Sequence, residues 1–222
     1  MTNALKDKIL FDRVSQFGIT LTEKQIDLLT IFIDLLIEWN NKINLIGMSD
    51  RSRVTTELVL DSIVPVLHLP SKGRMIDLGS GAGFPAVIIK ILKPDLEIKL
   101  IESNGKKVNF LKYAIYTLKL TGIIPVNSRI ETITESMKSL KTDIVTSRAM
   151  ANLEKIIRLS EPFLKPGGII VGFLGKDGRK ELKNIKNLLF DYNLNIKKTI
   201  TYCLPGKKTE RTTAILQKNP AL

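Results

Sequence analysis

The chain has one cysteine, one histidine and one tryptophan in 222 residues. The single thiol, Cys203, excludes an internal disulfide and any cysteine-based metal cluster, so a reducing compartment and no metal are expected. No charge-free apolar run approaches the roughly 18 to 20 residues that a membrane span needs. The opening stretch MTNALKDKILFDRV carries charges where a secretory signal carries an apolar core, which points to a cytoplasmic protein with no membrane contact. Internal repeats and low-complexity segments are also missing. His68 is expected to be a loop or packing residue, and Trp39 a packing residue, because tryptophan buries a large apolar surface.

Hydrophobic residues make up 44% of the chain, enough for one α/β domain with a small appendage. The net charge of +12 is unevenly spread. Residues 1–70 hold 7 Lys and Arg against 9 Asp and Glu; residues 71–148 hold 13 against 7, and residues 149–222 hold 14 against 6. The basic excess of the last two thirds suits either a polyanionic partner, through counterion release, or a solvated lysine-rich surface. Charge alone leaves both open.

Rhythm divides the chain near residue 70. In residues 1–70, an N-terminal helical extension, Ile26, Leu29, Ile33, Leu36 and Ile37 recur at steps of three and four, the signature of an amphipathic helix. Thr22 and Gln25 are spaced as a capping box and Gly47 is placed to end the helix; a shorter helix is expected at about 3–17. In residues 71–222 strands are expected at Met75–Leu78, Glu97–Glu102, Ile124–Asn127, Asp143–Ser147 and Gly168–Leu174. Helices are expected at about 85–93, 105–120, 152–163 and 178–190. Two further strand-like runs, Asn195–Leu204 and Thr212–Gln217, follow with no helix between them. The expected fold is therefore a doubly wound, mostly parallel α/β sheet ending in an antiparallel hairpin.

In such sheets ligands bind beyond the carboxyl ends of the strands, where strand order reverses. The stretch IDLGSGAGFPAV (76–87) puts a glycine turn there: Gly79, Gly81 and Gly83 let backbone approach a ligand, and the next helix presents unpaired N–H groups. A dinucleotide fingerprint needs a third glycine at position 84, where this chain has Phe84, so a nicotinamide oxidoreductase is disfavoured. Glu102 ends the next strand, where a carboxylate can accept both hydroxyls of a ribose. Asp77, the glycine turn and Glu102 together resemble the S-adenosylmethionine site of class I, Rossmann-like methyltransferases.

The resemblance narrows further. EWNNKINLIG (38–47), LDSI (60–63), the glycine turn with its Phe-Pro, ESNGKKVNFL (102–111), SRIE (128–131) and DIVTSRAMANL (143–153) are similar, in order and spacing, to the RsmG family. These are the 16S rRNA guanine-N7 methyltransferases, also called the glucose-inhibited division protein B (GidB) family. The match runs over about residues 15 to 218. It implies methylation of a guanosine in the decoding-region stem-loop of 16S rRNA, with 16S rRNA or a small ribosomal subunit particle as partner. It also implies cofactor contacts at Gly79, Phe84, Ile130, Glu131 and Arg148. Arg148 could pair with the cofactor's methionine carboxylate or an RNA phosphate through its forked guanidinium, or form an ion pair with Glu154.

Guanine N7 has a free lone pair and no proton, so in-line attack on a sulfonium methyl needs no general base, and no catalytic side chain is assigned. No cysteine follows a proline to form a pyrimidine adduct, and TSRAMANL stands where exocyclic-amine methyltransferases carry Asn/Asp-Pro-Pro-aromatic. Two positions depart from the family. Glu57 and Leu58 stand where it has a basic residue and a histidine, and Phe173-Leu174-Gly175-Lys176 replaces its Leu-Lys-Gly. These departures support a second expectation, a cofactor-binding RNA- or ribosome-associated module without turnover. Lys106, Lys107, Lys176, Arg179, Lys180, Lys207, Lys208 and Arg211 are the candidate RNA-facing cations, expected to add salt-dependent affinity rather than base specificity.

Overall fold

A computed structural model describes residues 7, 10–136, 141–148 and 152–220. Seven strands form one sheet: β1 (Gly73–Leu78), β2 (Leu96–Glu102), β3 (Ile123–Asn127), β4 (Thr142–Arg148), β5 (Leu164–Gly175), β6 (Leu194–Cys203) and β7 (Glu210–Lys218). Their order is β3-β2-β1-β4-β5-β7-β6, with β1 to β5 parallel and β7 antiparallel to both neighbours. The final hairpin is thus folded back so that its second strand lies inside. The sequence supplies the reason: Thr212 to Leu216 in β7 are buried, whereas β6 is mostly exposed and carries Lys197 and Lys198, residues that suit a sheet edge.

The longer helices are α1 (Glu23–Ile43), α2 (Ala86–Leu92), α3 (Gly105–Thr117), α4 (Ile130–Ser136), α5 (Leu153–Ser160), α6 (Gly178–Asn184) and α7 (Lys186–Asp191). The expected capping box is formed: the Gln25 N–H donates to Thr22 Oγ1 at 3.3 Å and the Thr22 N–H to Gln25 Oε1 at 2.9 Å. The expected stop at Gly47 is wrong. Asn44 ends α1 in the left-handed region at φ 46°, a conformation asparagine tolerates better than most residues. The single helix expected over 178–190 is broken at Ile185, and α4, which carries too few apolar residues to show a period, was not expected at all. Of the first expected helix, residues 3–6, 8 and 9 lie outside the described residues; its end is a 3₁₀ turn, Arg13–Phe17.

A continuous helical stretch also runs through 51–68, changing from α at Arg51–Val54 to π-helical at Thr55–Leu60, α at Asp61–Ile63 and 3₁₀ at Val64–His68. It has no clean 3.6-residue apolar period because its apolar, hydroxyl and acidic residues are buried together. His68 sits at its end, and burial lowers the imidazole's proton affinity, with Lys198 adding to the effect.

The described residues of the helical extension share one core with the sheet. Leu29, Phe32, Ile33 and Leu36 of α1 are fully buried and pack with α2, α3 and the β1–β3 side, while α5 and α7 cover the other face. The Phe32 ring lies 5.5 Å from Phe84 and 6.1 Å from Phe110, and Trp39 packs on Phe110 and Tyr113 at 5.7 and 5.3 Å. Such ring pairs add to the burial of large apolar surface. Phe32→Ala is expected to cost about 3–5 kcal/mol of unfolding free energy, measured by urea denaturation. A loss below about 1 kcal/mol would mean that the helical extension does not share the core.

Candidate functional site

Strand order reverses between β1, whose successors run outward to β3, and its other neighbour β4, so a crevice opens at the carboxyl ends of these strands. A cavity of about 600 Å³ lies there. Gly79 to Ala82 follow β1, Glu102 and Ser103 end β2, Ser128 to Glu131 join β3 to α4, and Arg148 ends β4; all of these line it. Its size falls in the range that accommodates small cofactors.

The glycine turn is tied to the neighbouring strand. Gly79 and Ser80 both donate their N–H groups to the Ile101 carbonyl at 3.0 Å, and Gly83 donates to the Ser80 carbonyl at 2.8 Å. Gly79, Gly81 and Gly83 all have positive φ, at 70°, 55° and 97°. Their reasons differ. A Cβ on Gly81 would meet nothing closer than the Gly79 carbonyl at 3.9 Å, so the space beyond it is open. A Cβ on Gly83 would come within 2.7 Å of Val87 Cγ2, 3.1 Å of Leu111 and 3.3 Å of Phe32. Gly83, grouped in the sequence with the ligand-facing glycines, is not among the lining residues; it lets α2 pack closely on α1 and α3.

Glu102 is nearly buried, and its carboxylate accepts from the Gly81 N–H at 2.8 Å through Oε2 and from the Asn104 N–H at 2.7 Å through Oε1. Each oxygen retains further acceptor capacity toward the cavity, so the carboxylate both braces the turn and can receive hydroxyl donors. Phe84 lines the cavity and rests edge-on against Phe32. Ile130 and Glu131 open α4 on the cavity wall. Beneath the turn, Asp77 is 1% exposed; its Oδ1 accepts from the Thr146 hydroxyl at 2.6 Å, and its Oδ2 has no partner among the described residues. Burial pushes its carboxyl up to about 7, the Thr146 bond partly opposing this.

Arg148 lines the cavity but does not reach Glu154, which pairs with Arg158 at 3.0 Å. Instead its Nε donates to Asp61 Oδ2 at 3.1 Å and one terminal nitrogen donates to the Glu57 carbonyl at 2.6 Å. Asp61 Oδ1 accepts from Tyr202 Oη at 2.8 Å and pairs with Arg211 at 3.3 Å. Burial raises the Tyr202 hydroxyl's pKa, the Asp61 charge adding to it. The Glu57 carboxylate collects Lys207 at 2.8 Å, Arg53 at 3.1 Å and Arg211 at 4.0 Å; bonds from Lys207 and Arg53 hold its pKa below the usual carboxylate range.

Of the candidate RNA-facing cations, Lys107 alone lines the cavity. Lys207 and Arg211 are gathered at Glu57, Arg179 pairs with Glu210 at 2.9 Å, and Lys106, Lys176, Lys180 and Lys208 are exposed. Ser128, Arg129 and Lys155 also line the cavity without having been singled out from the sequence; their position just after β3 and at the start of α5 was the available signal. Leu45, Ile46 and Leu58 add an apolar wall from the helical extension.

The family model described as rRNA small subunit methyltransferase G matches residues 25–209. A protein of that name from a Geobacter species is 30% identical over 212 residues, covering 96% of this chain and 97% of its own. Another from Moorella thermoacetica is 34% identical over 216 residues, covering 96% and 90%. Among solved structures, the fibrillarin pre-rRNA processing protein of Methanococcus jannaschii superposes with a TM-score of 0.56 at 17% identity, over 72% of this chain and 74% of that one.

Proposed function

This chain belongs to the rRNA small subunit methyltransferase G family, and we propose that it methylates N7 of one guanosine in the decoding-region stem-loop of 16S rRNA. Membership makes it an S-adenosylmethionine-dependent methyltransferase of small-subunit ribosomal RNA. The N7 and stem-loop assignment rests on the family; what supports the cofactor's place in this chain is the cavity wall, where the backbone-braced Glu102 carboxylate, the open face of Gly81 and the Arg148 guanidinium stand round one crevice. Those groups suit a ribose, a close-approaching chain and a carboxylate.

The cofactor supplies a methyl group activated by its sulfonium. The protein's own work is positional. Glu102 would hold the ribose, Gly79 and Gly81 would admit the chain, Phe84, Ile130 and Glu131 would border the base, and Arg148 would take the carboxylate. Guanine N7 forms the new N–C bond with its lone pair while the S–C bond breaks, so no proton moves and no base is required. Lys107, with Lys106, Lys176, Arg179, Lys180, Lys207, Lys208 and Arg211, meets RNA phosphates and adds salt-dependent affinity. Among the described residues no helix is long and apolar enough to cross a membrane.

Two measurements test this reading. Calorimetric titration should show binding of S-adenosylhomocysteine and none of NAD; failure to bind the former refutes the cofactor site. Mapping N7-methylguanosine in 16S rRNA from a deletion strain complemented with this chain should restore the modification. If none returns while protein level and cofactor binding are intact, the chain is a binding module without turnover.

A further inference from the structure

We infer that Asp61 is a positioning residue for the cofactor pocket, acting through Arg148. The inference rests on the proposed cofactor reading and concerns how that site is held in shape. Arg148 reaches the cavity from the end of β4. Its guanidinium is held from outside the sheet: Nε on Asp61 Oδ2 at 3.1 Å and a terminal nitrogen on the Glu57 carbonyl at 2.6 Å. Both acceptors lie on the helical stretch 51–68, and the Glu57 carbonyl belongs to its π-helical turn, a geometry that recurs at functional sites.

Two of five N–H groups are used in this way among the described residues. The remaining three stay with a guanidinium that lines the cavity, and its orientation decides whether they face a bound carboxylate.

The carboxylate is itself over-determined. Its side chain is 4% exposed and that of Arg148 is 13% exposed. Oδ1 is fixed by Tyr202 Oη at 2.8 Å, which also bonds Thr213 at 3.2 Å, and by Arg211 at 3.3 Å. Buried ion pairs add little net stability over well-packed apolar groups, because desolvation offsets their attraction. Stability alone therefore does not account for a buried carboxylate with both oxygens engaged and its charge partner on a ligand cavity. Holding one orientation of Arg148 does. The same carboxylate links the cavity to β6 and β7, so the hairpin's placement bears on Arg148.

The test is a double-mutant cycle read by calorimetric titration with S-adenosylhomocysteine. Arg148→Gln and Asp61→Asn are each expected to weaken binding on the order of tenfold, the loss typical of a removed bond to a charged group. The double variant should bind no more weakly than Arg148→Gln alone, because Asp61 acts only through Arg148. Losses that multiply in the double variant, or an Asp61→Asn protein with wild-type affinity, overturn the inference. Should Asp61→Asn fail to fold for want of charge balance, the same cycle is run with Tyr202→Phe, which keeps the Arg148 ion pair and removes one of the two groups that fix Oδ1. A severalfold loss that disappears in the Arg148→Gln background supports the inference, and a loss that persists there overturns it. A wild-type chain that does not bind S-adenosylhomocysteine refutes the cofactor reading itself, a separate outcome.

Discussion

Gly81→Val is expected to weaken S-adenosylhomocysteine binding by more than about 100-fold while lowering stability by roughly 1–3 kcal/mol. The two effects have separate causes. A Cβ at this position points into open space, its nearest neighbour being the Gly79 carbonyl at 3.9 Å, so valine's two methyl groups enter the cavity rather than the core. The stability loss comes from φ 55°, a left-handed conformation that a β-branched residue adopts only with strain. Any shift that relieves the strain also pulls the Gly81 N–H from Glu102 Oε2, now 2.8 Å away, and so disturbs a second cofactor contact. Gly81→Ala should fall between wild type and valine in affinity. Calorimetric titration and thermal unfolding separate the terms; a valine variant binding within threefold of wild type would refute this placement of the pocket.

Asp77→Asn is expected to remove a pH dependence of stability on the order of 4 kcal/mol. The carboxyl titrates at about 7 in the fold, pushed up mainly by burial, against about 3.9 in an unfolded chain. Because the folded value is the higher, both states are protonated below about pH 4 and the group then costs nothing. Between pH 4 and 7 the unfolded state ionises while the folded state resists, and the destabilisation grows until it is complete above about 7. Wild type should therefore lose stability relative to Asp77→Asn as pH rises across that window. Urea unfolding of both proteins at pH 4.5 and 8 reads the difference, and parallel pH profiles would show that Asp77 ionises as freely folded as unfolded. The orphaned Oδ2 beneath the glycine turn is the structural reason to expect the opposite.

The two positions show which parts of the site local sequence carries. Gly81 and Glu102 were legible because a glycine turn after an apolar strand and an acid at the end of the next are local features with a fixed geometric meaning. Gly83 was legible as a glycine but not for its reason, since Val87, Leu111 and Phe32 converge on it from three helices. Asp61 sat in a recognised block, LDSI, without a role, because its partners Arg148 and Tyr202 lie 87 and 141 residues away. Glu57 likewise looked only like a missing cation until Lys207, Arg53 and Arg211 were seen around it.

By itself the sequence determined the alternation of strand and helix, the glycine turn, the capping box at Thr22 and the family resemblance, all of which depend on residues a few positions apart or on blocks in fixed order. Tertiary structure alone decided that β7 lies inside β6, that the helical extension shares the sheet's core and that Arg148 is held by Asp61 rather than Glu154. Those outcomes rest on burial and on charge pairs closed over long stretches of chain. Their energies are set by which surfaces meet, and a linear pattern does not record that.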